Sequence, residues 1–182
     1  MEALPKGSKK LLNAWAFYDW ANSVYSLVIA SAVFPIFYGA LTLVKDEDGK
    51  ILDDTVNFLG YDFNNDTLIS YVTAAAFLVV SFLSPFLSGI ADYVGNKKSF
   101  MKFFCYLGAI SCIGLFWFNM DYLWFGLLCY FLALIGFWAS LVFYNSYLPD
   151  IAFPNQQDKI SAKGYSLGYI GSVILLIVCL AM

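Results

Sequence analysis

Ser88-Gly89-Ile90-Ala91-Asp92-Tyr93-Val94-Gly95-Asn96-Lys97-Lys98 is the stretch on which the reading of this chain turns. It lies between two apolar runs, about Leu68 to Ala91 and Phe103 to Phe118, and a bilayer crossing needs ~20 such residues, fewer once polar flanks are counted. One carboxylate, one turn glycine and paired lysines between two such runs read as a tight polar loop at a membrane surface. Gly95 supplies the backbone freedom for the reversal, and Lys97 and Lys98 anchor the following helix at headgroup level.

Working outward, charges cut the chain into five apolar stretches, and the expected fold class is an all-α membrane protein, a multi-pass helical bundle. The expected spans are about 21–43, 68–91, 100–119, 122–147 and 164–182. Residues 1–20 form an N-terminus and interfacial lead-in, with Trp15, Tyr18 and Trp20 as belt residues. Residues 21–182 form the transmembrane bundle, interrupted by an acidic loop at 45–67 and by loops at 92–99 and 148–163. The leading apolar run is too long for the core of a signal peptide. The last span begins near Gly164 and the chain stops at Met182 without a closing loop, so the sequence is expected to be the N-terminal part of something longer.

Composition agrees. Hydrophobic residues make up 61% and charged residues 13% of 182, and the mean hydropathy is +0.71. A water-soluble core could not hide that much apolar surface, so lipid must cover it. All ten basic residues are lysine and there is no histidine, which removes guanidinium phosphate forks, imidazole bases and the commonest metal ligand. The formal charge of −3 is spread along the chain, with no basic face for nucleic acid. Cys105, Cys112, Cys129 and Cys179 sit inside apolar runs without C-x-x-C spacing and read as small packing residues.

Orientation follows from the lysines. Lys6, Lys9, Lys10, Lys97, Lys98, Lys102, Lys159 and Lys163 fall on one side of the expected membrane; Lys45 and Lys50 fall on the other, among acidic residues. The positive-inside rule then puts the N-terminus and the 92–99 and 148–163 loops in the cytoplasm.

Within the first run, Tyr18, Asp19, Asn22 and Ser23 concentrate polar groups where apolar ones would insert more cheaply. A carboxylate at membrane depth costs roughly 2.5–3.5 kcal/mol on insertion scales and usually faces a bundle interior or a wet cavity. Asp19 and Ser23 share a helix face, with Asn22 beside them, so the set is a candidate substrate or proton pathway. Equally open is a position at the interface, where Asp19 meets water or the helix dipole. Tyr144 and Asn145, at the end of the fourth run, serve equally as anchors or ligands. Pro35 and Pro85 are expected to kink their helices, and Pro149 to stop the fourth helix near Leu148. Gly164, Gly168 and Gly171 give the fifth helix a small face for close packing. The acidic loop lacks EF-hand spacing, and Asn65-Asp66-Thr67 matches a glycosylation sequon.

Three motifs then carry a family resemblance. The opening loop resembles the signature between the second and third helices of the major facilitator superfamily, roughly Gly-x-x-x-Asp-Arg-x-Gly-Arg-Lys; Asp92, Gly95, Lys97 and Lys98 match it, while Ser88, Tyr93 and Asn96 depart. Tyr18-Asp19-Trp20-Ala21-Asn22-Ser23-x-Tyr25, followed by Phe34-Pro35, resembles the start of the vacuole-effluxer-like branch. Tyr144 to Ala152, then Ser161 to Tyr169, resembles that branch's connection between helices 4 and 5, with Lys163 where arginine is expected.

The resemblance implies five helices of a major-facilitator-type N-terminal half, and a missing C-terminal half of the same transporter. It implies a permease of a small polar solute working by alternating access, with amino-acid efflux the activity of the fungal relatives. Asp92, Gly95, Lys97 and Lys98 would be gating residues, and Tyr18, Asp19, Asn22, Ser23 and Asn145 would lie along the substrate or proton pathway. Expected partners are the lipid bilayer, a small-molecule substrate and a coupling proton or cation. No enzyme activity, cofactor, metal or nucleic acid is expected, and the bacterial inner membrane is the expected location. The competing reading is a small helical membrane scaffold or assembly subunit.

Overall fold

The computed structural model describes residues 4–181, apart from the side chains of Ala91, Asp92 and Val94. Five helical segments are long and apolar enough to cross a membrane: Lys9–Thr42, Asn65–Ile90, Lys97–Trp117, Met120–Ile151 and Pro154–Ala181. The first is composite. Helix α1 (Lys9–Val24) runs into a π-helical segment (Tyr25–Val33) and then α2 (Phe34–Thr42). Helices α3 (Asn65–Val94), α4 (Lys97–Gly114), α5 (Leu123–Ile151) and α6 (Pro154–Ala181) follow.

Helix α1 begins where Ser8 caps it, the Ser8 hydroxyl oxygen accepting from Leu11 N at 3.4 Å. Residues 9–20 are therefore one helix with the span they precede. Ahead of Pro35 the structure has a nine-residue π-helix, in which Phe34 N donates to Ile29 O. Proline brings no N–H to the ladder, and widening to i→i+5 bonding re-pairs the carbonyls just before it. Pro85 lies inside α3, which continues through it.

At 92–99 the reversal is tighter than the expected loop. Helix α3 reaches Val94 and α4 starts at Lys97; Gly95 adopts φ +68°, a left-handed conformation open to glycine. The expected 148–163 loop is corrected further. Helix α5 carries Pro149 in its last turn and ends at Ile151, and α6 begins at Pro154. Pro149 withholds one ladder N–H, that to the Asn145 carbonyl, within the last two turns of α5, and Pro154 takes the first helical position, where its missing N–H is not needed.

The acidic segment, expected as a solvated loop, holds two β-hairpins. Strands β1 (Val44–Lys45) and β2 (Ile51–Asp53) pair antiparallel, as do β3 (Thr55–Phe58) and β4 (Tyr61–Asn64). The second hairpin turns through Leu59 and Gly60, both with positive φ (54° and 84°), the pattern of a type I′ turn. Thr55 N donates to Asp53 Oδ1 at 2.8 Å and holds that carboxyl below its usual range. The sequon asparagine is not presented to a glycosylating enzyme: Asn65 is 3% exposed, and its Nδ2 donates to Thr42 Oγ1 at 3.1 Å.

Two compact units share the chain. Unit 2, residues 36–143, packs α4 on α5 through glycine: a Cβ at Gly136 would lie 2.5 Å from Gly108 N and 2.8 Å from Phe104 O. Phe143 stacks on Phe100 and Phe104 beside that contact. Unit 1, residues 1–35 and 144–182, packs α1 on α6 and contains the candidate site. Large apolar side chains such as Ile36, Phe82, Phe86, Ile110 and Phe116 are exposed, as lipid-facing residues are.

Candidate functional site

The site is built on α1, whose Trp15, Tyr18, Asp19, Asn22 and Ser23 succeed one another at helical spacing. Asp19 is 5% exposed. Ser23, one turn on, donates its hydroxyl to Asp19 Oδ1 at 3.1 Å, and among the described residues no lysine pairs with the carboxylate. One oxygen is thus held and the other left available.

Tyr144, near the end of α5, faces this group. Its ring is stacked on Trp15, with centroids 4.1 Å apart and planes 8° from parallel, and on Tyr18 at 5.0 Å. Trp15 Nε1 donates to the Tyr144 carbonyl at 3.0 Å. These contacts hold the tyrosine by ring and backbone, and each aromatic pair contributes about 0.5–1.5 kcal/mol beyond its burial. Its hydroxyl has no hydrogen-bond partner, although the residue is 3% exposed. Asn22 Nδ2 is likewise buried and unpartnered.

Helix α6 closes the site with glycine. A Cβ at Gly164 would lie 3.1 Å from Tyr144 Oη and 3.4 Å from Asp19 Oδ2, so that glycine sits against both polar atoms. A Cβ at Gly168 would lie 2.6 Å from Ser23 Oγ, and one at Gly171 2.8 Å from the Trp20 carbonyl oxygen. Gly164, Gly168, Gly171 and Ser172 are all buried. Only a helix face without side chains can approach α1 this closely.

Two readings are corrected here. Trp15, expected in the interfacial belt, is buried and bonded to α5; Trp20 is half-buried, its ring against Gly171. Tyr144, rather than its neighbour Asn145, is the α5 residue at the site; Asn145 is exposed, one residue and about 100° further round the helix. Of the loop at 92–99, Gly95 makes the turn, Lys97 opens α4 and Lys98 is exposed, while the Asp92 side chain lies outside the described residues.

A carboxylate with a free oxygen, beside a spare hydroxyl and a spare amide, can take a proton, a compact cation or the donor groups of a polar ligand. The π-helical segment begins two residues after Ser23, and such segments recur at functional sites. Among the described residues no cluster of three or more histidine, cysteine or acidic side chains is placed to hold a metal.

Known proteins match over the same span. The model of the vacuole effluxer Atg22-like family matches residues 7–182. The chain is 37% identical over 170 residues to an uncharacterized MFS-type transporter, YxiO, of Bacillus subtilis, covering 93% of this chain and 37% of that protein. It is 32% identical over 167 residues to an uncharacterized protein of Aquifex aeolicus (90% and 36%), and 28% identical over 194 residues to autophagy-related protein 22 of Coccidioides immitis (87% and 31%). The chain therefore spans about a third of the length of these relatives. No solved structure matches it at a significant level. The chain belongs to the vacuole effluxer Atg22-like family and is a multi-pass helical membrane protein.

Proposed function

We propose that this chain supplies five of the membrane helices of a secondary transporter for a small polar solute, amino acids foremost. The solute is exchanged by rocking of two halves around a site near the bilayer midplane. The observation that carries the reading is the buried Asp19, with unpartnered Tyr144 Oη and Asn22 Nδ2 beside it, inside helices otherwise apolar. Unpaired buried polar groups cost about 1–3 kcal/mol each, a cost that packing does not require and ligand binding explains. The transporter named among the relatives and the effluxer family model support the same class.

In this reading Asp19 takes the coupling proton or cation, and Asn22, Ser23 and Tyr144 contact substrate or ion. Asp92, Gly95, Lys97 and Lys98 form the gate on the cytoplasmic side, and the lysine distribution supports an N-terminus on that same side. The host membrane is that of a bacterial cell. The test is uptake by the full-length gene product in proteoliposomes, with a panel of labelled amino acids and related polar solutes under imposed proton and sodium gradients. Gradient-dependent flux of at least one solute, reduced by Asp92→Asn without loss of insertion, is the expected result. No flux above protein-free vesicles for any solute under either gradient would favour the scaffold reading.

A further inference from the structure

A second concave surface lies within unit 1, at the lysine-bearing ends of α1 and α6. It is a cleft of about 570 Å³, within the ~300–1,000 Å³ range of small-ligand sites. Lys9, Lys159 and Lys163 line it, and no carboxylate does. Lys163 is steered by Asn13, whose Oδ1 accepts from Nζ at 2.6 Å. Lys9 and Lys159 have no hydrogen bond or ion pair among the described residues. Neither helix carries an acidic residue in its first turn, where it would offset the partial positive charge; Asp158, one residue beyond that turn in α6, does not line the cleft. Between the lysines the lining is apolar, with Leu12 and Ile160.

This pairing of three cations with an apolar wall, at the ends of two membrane-spanning helices, selects a ligand that is anionic at one end and greasy at the other. We propose that the cleft is a phosphate-anion site filled by the headgroup of an anionic phospholipid. Lys9, Lys159 and Lys163 contact the phosphate, and Leu12 and Ile160 face the start of the acyl chains. Lysine suits this role because its ammonium is a point charge that neutralises phosphate without a fixed fork geometry. Basic pockets between membrane helices bind lipid headgroups on these terms. Free phosphate carries at least as much charge but gains nothing from the apolar wall, which favours the lipid as source. The site is separate from Asp19 and needs only that the helices span a membrane.

The test is native mass spectrometry of the full-length protein titrated with phosphatidylglycerol, phosphatidylcholine or inorganic phosphate. Phosphatidylglycerol should be retained at least tenfold more tightly than phosphatidylcholine, with the preference falling as salt rises. Lys9→Gln with Lys159→Gln should weaken it about twenty-five-fold, about fivefold for each lysine. Lys45→Gln with Lys50→Gln, which removes equal charge beyond the far end of the first span, should leave it unchanged. Equal losses from both pairs, or a preference indifferent to salt, would overturn the site. Displacement of the lipid by millimolar inorganic phosphate would overturn the lipid as its occupant.

Discussion

Two helix contacts in this molecule are made by glycine, and they differ in what they bury. In unit 2, Gly136 of α5 meets Gly108 of α4 backbone to backbone, and phenylalanine rings fill the space beside them. In unit 1, Gly164 and Gly168 of α6 meet a carboxylate, a tyrosine hydroxyl and a serine hydroxyl. The first is dry and fully explained by packing. The second closes over a Ser23–Asp19 hydrogen bond and a buried Tyr144 hydroxyl that has no partner, a cost that packing alone would avoid. Glycine spacing in a membrane helix thus reports close approach; what is approached decides whether the contact is structural or functional.

The dry contact should be the less forgiving. Gly136→Val puts side-chain atoms into the Gly108 backbone, which has nowhere to move; a loss of about 3 kcal/mol or more is expected, read as failure to recover monodisperse protein in detergent. Gly168→Ala meets the Ser23 side chain, which can rotate away at the cost of its bond to Asp19. About 1–3 kcal/mol should be lost, and Ser23→Ala in the same chain should return part of it in a thermal-unfolding cycle. If Gly168→Ala were as damaging as Gly136→Val, the two contacts would not differ as described.

A control outside both contacts is Leu59, held at φ 54° in the hairpin turn and 79% exposed. Leu59→Asn relieves left-handed strain and should raise stability by about 1 kcal/mol in chemical denaturation, without changing transport. Tyr144→Phe should cost no stability and recover up to about 1–3 kcal/mol, because it removes a buried hydroxyl that has no partner. Its effect on transport should be several-fold. A large drop in melting temperature with transport per folded molecule intact would make the hydroxyl structural.

The five spans were legible because length and hydropathy determine them, and the turn at Gly95 because glycine before paired lysines marks it. The hairpins were not. Thr55–Phe58 and Tyr61–Asn64 carry β-branched and aromatic residues around a two-residue turn, but Leu-Gly is not the Asn-Gly that signals one, and the surrounding acidic residues read as solvated. The long continuation of α5 and α6 was hidden by reading Pro149 and Pro154 only as breakers; proline at a first helical position also starts a helix. Trp15 was placed in the belt, and Tyr144 left open between anchor and ligand, for a deeper reason. In a membrane helix the lipid-facing and protein-facing sides are equally apolar, so periodicity does not reveal which aromatic turns inward. The buried Asp19 was the usable signal, since a carboxylate in that setting must face protein or water.

In the proposed transporter Asp19 serves transport rather than folding. Asp19→Asn in the full-length protein, scored for thermal stability and for pH-dependent uptake in the same proteoliposome preparation, tests it most directly. Removing a buried charge while keeping its shape should leave the melting temperature unchanged or higher, with uptake at least tenfold lower and its pH dependence gone. A lower melting temperature with uptake per folded molecule, and its pH dependence, as in the wild type would contradict the account.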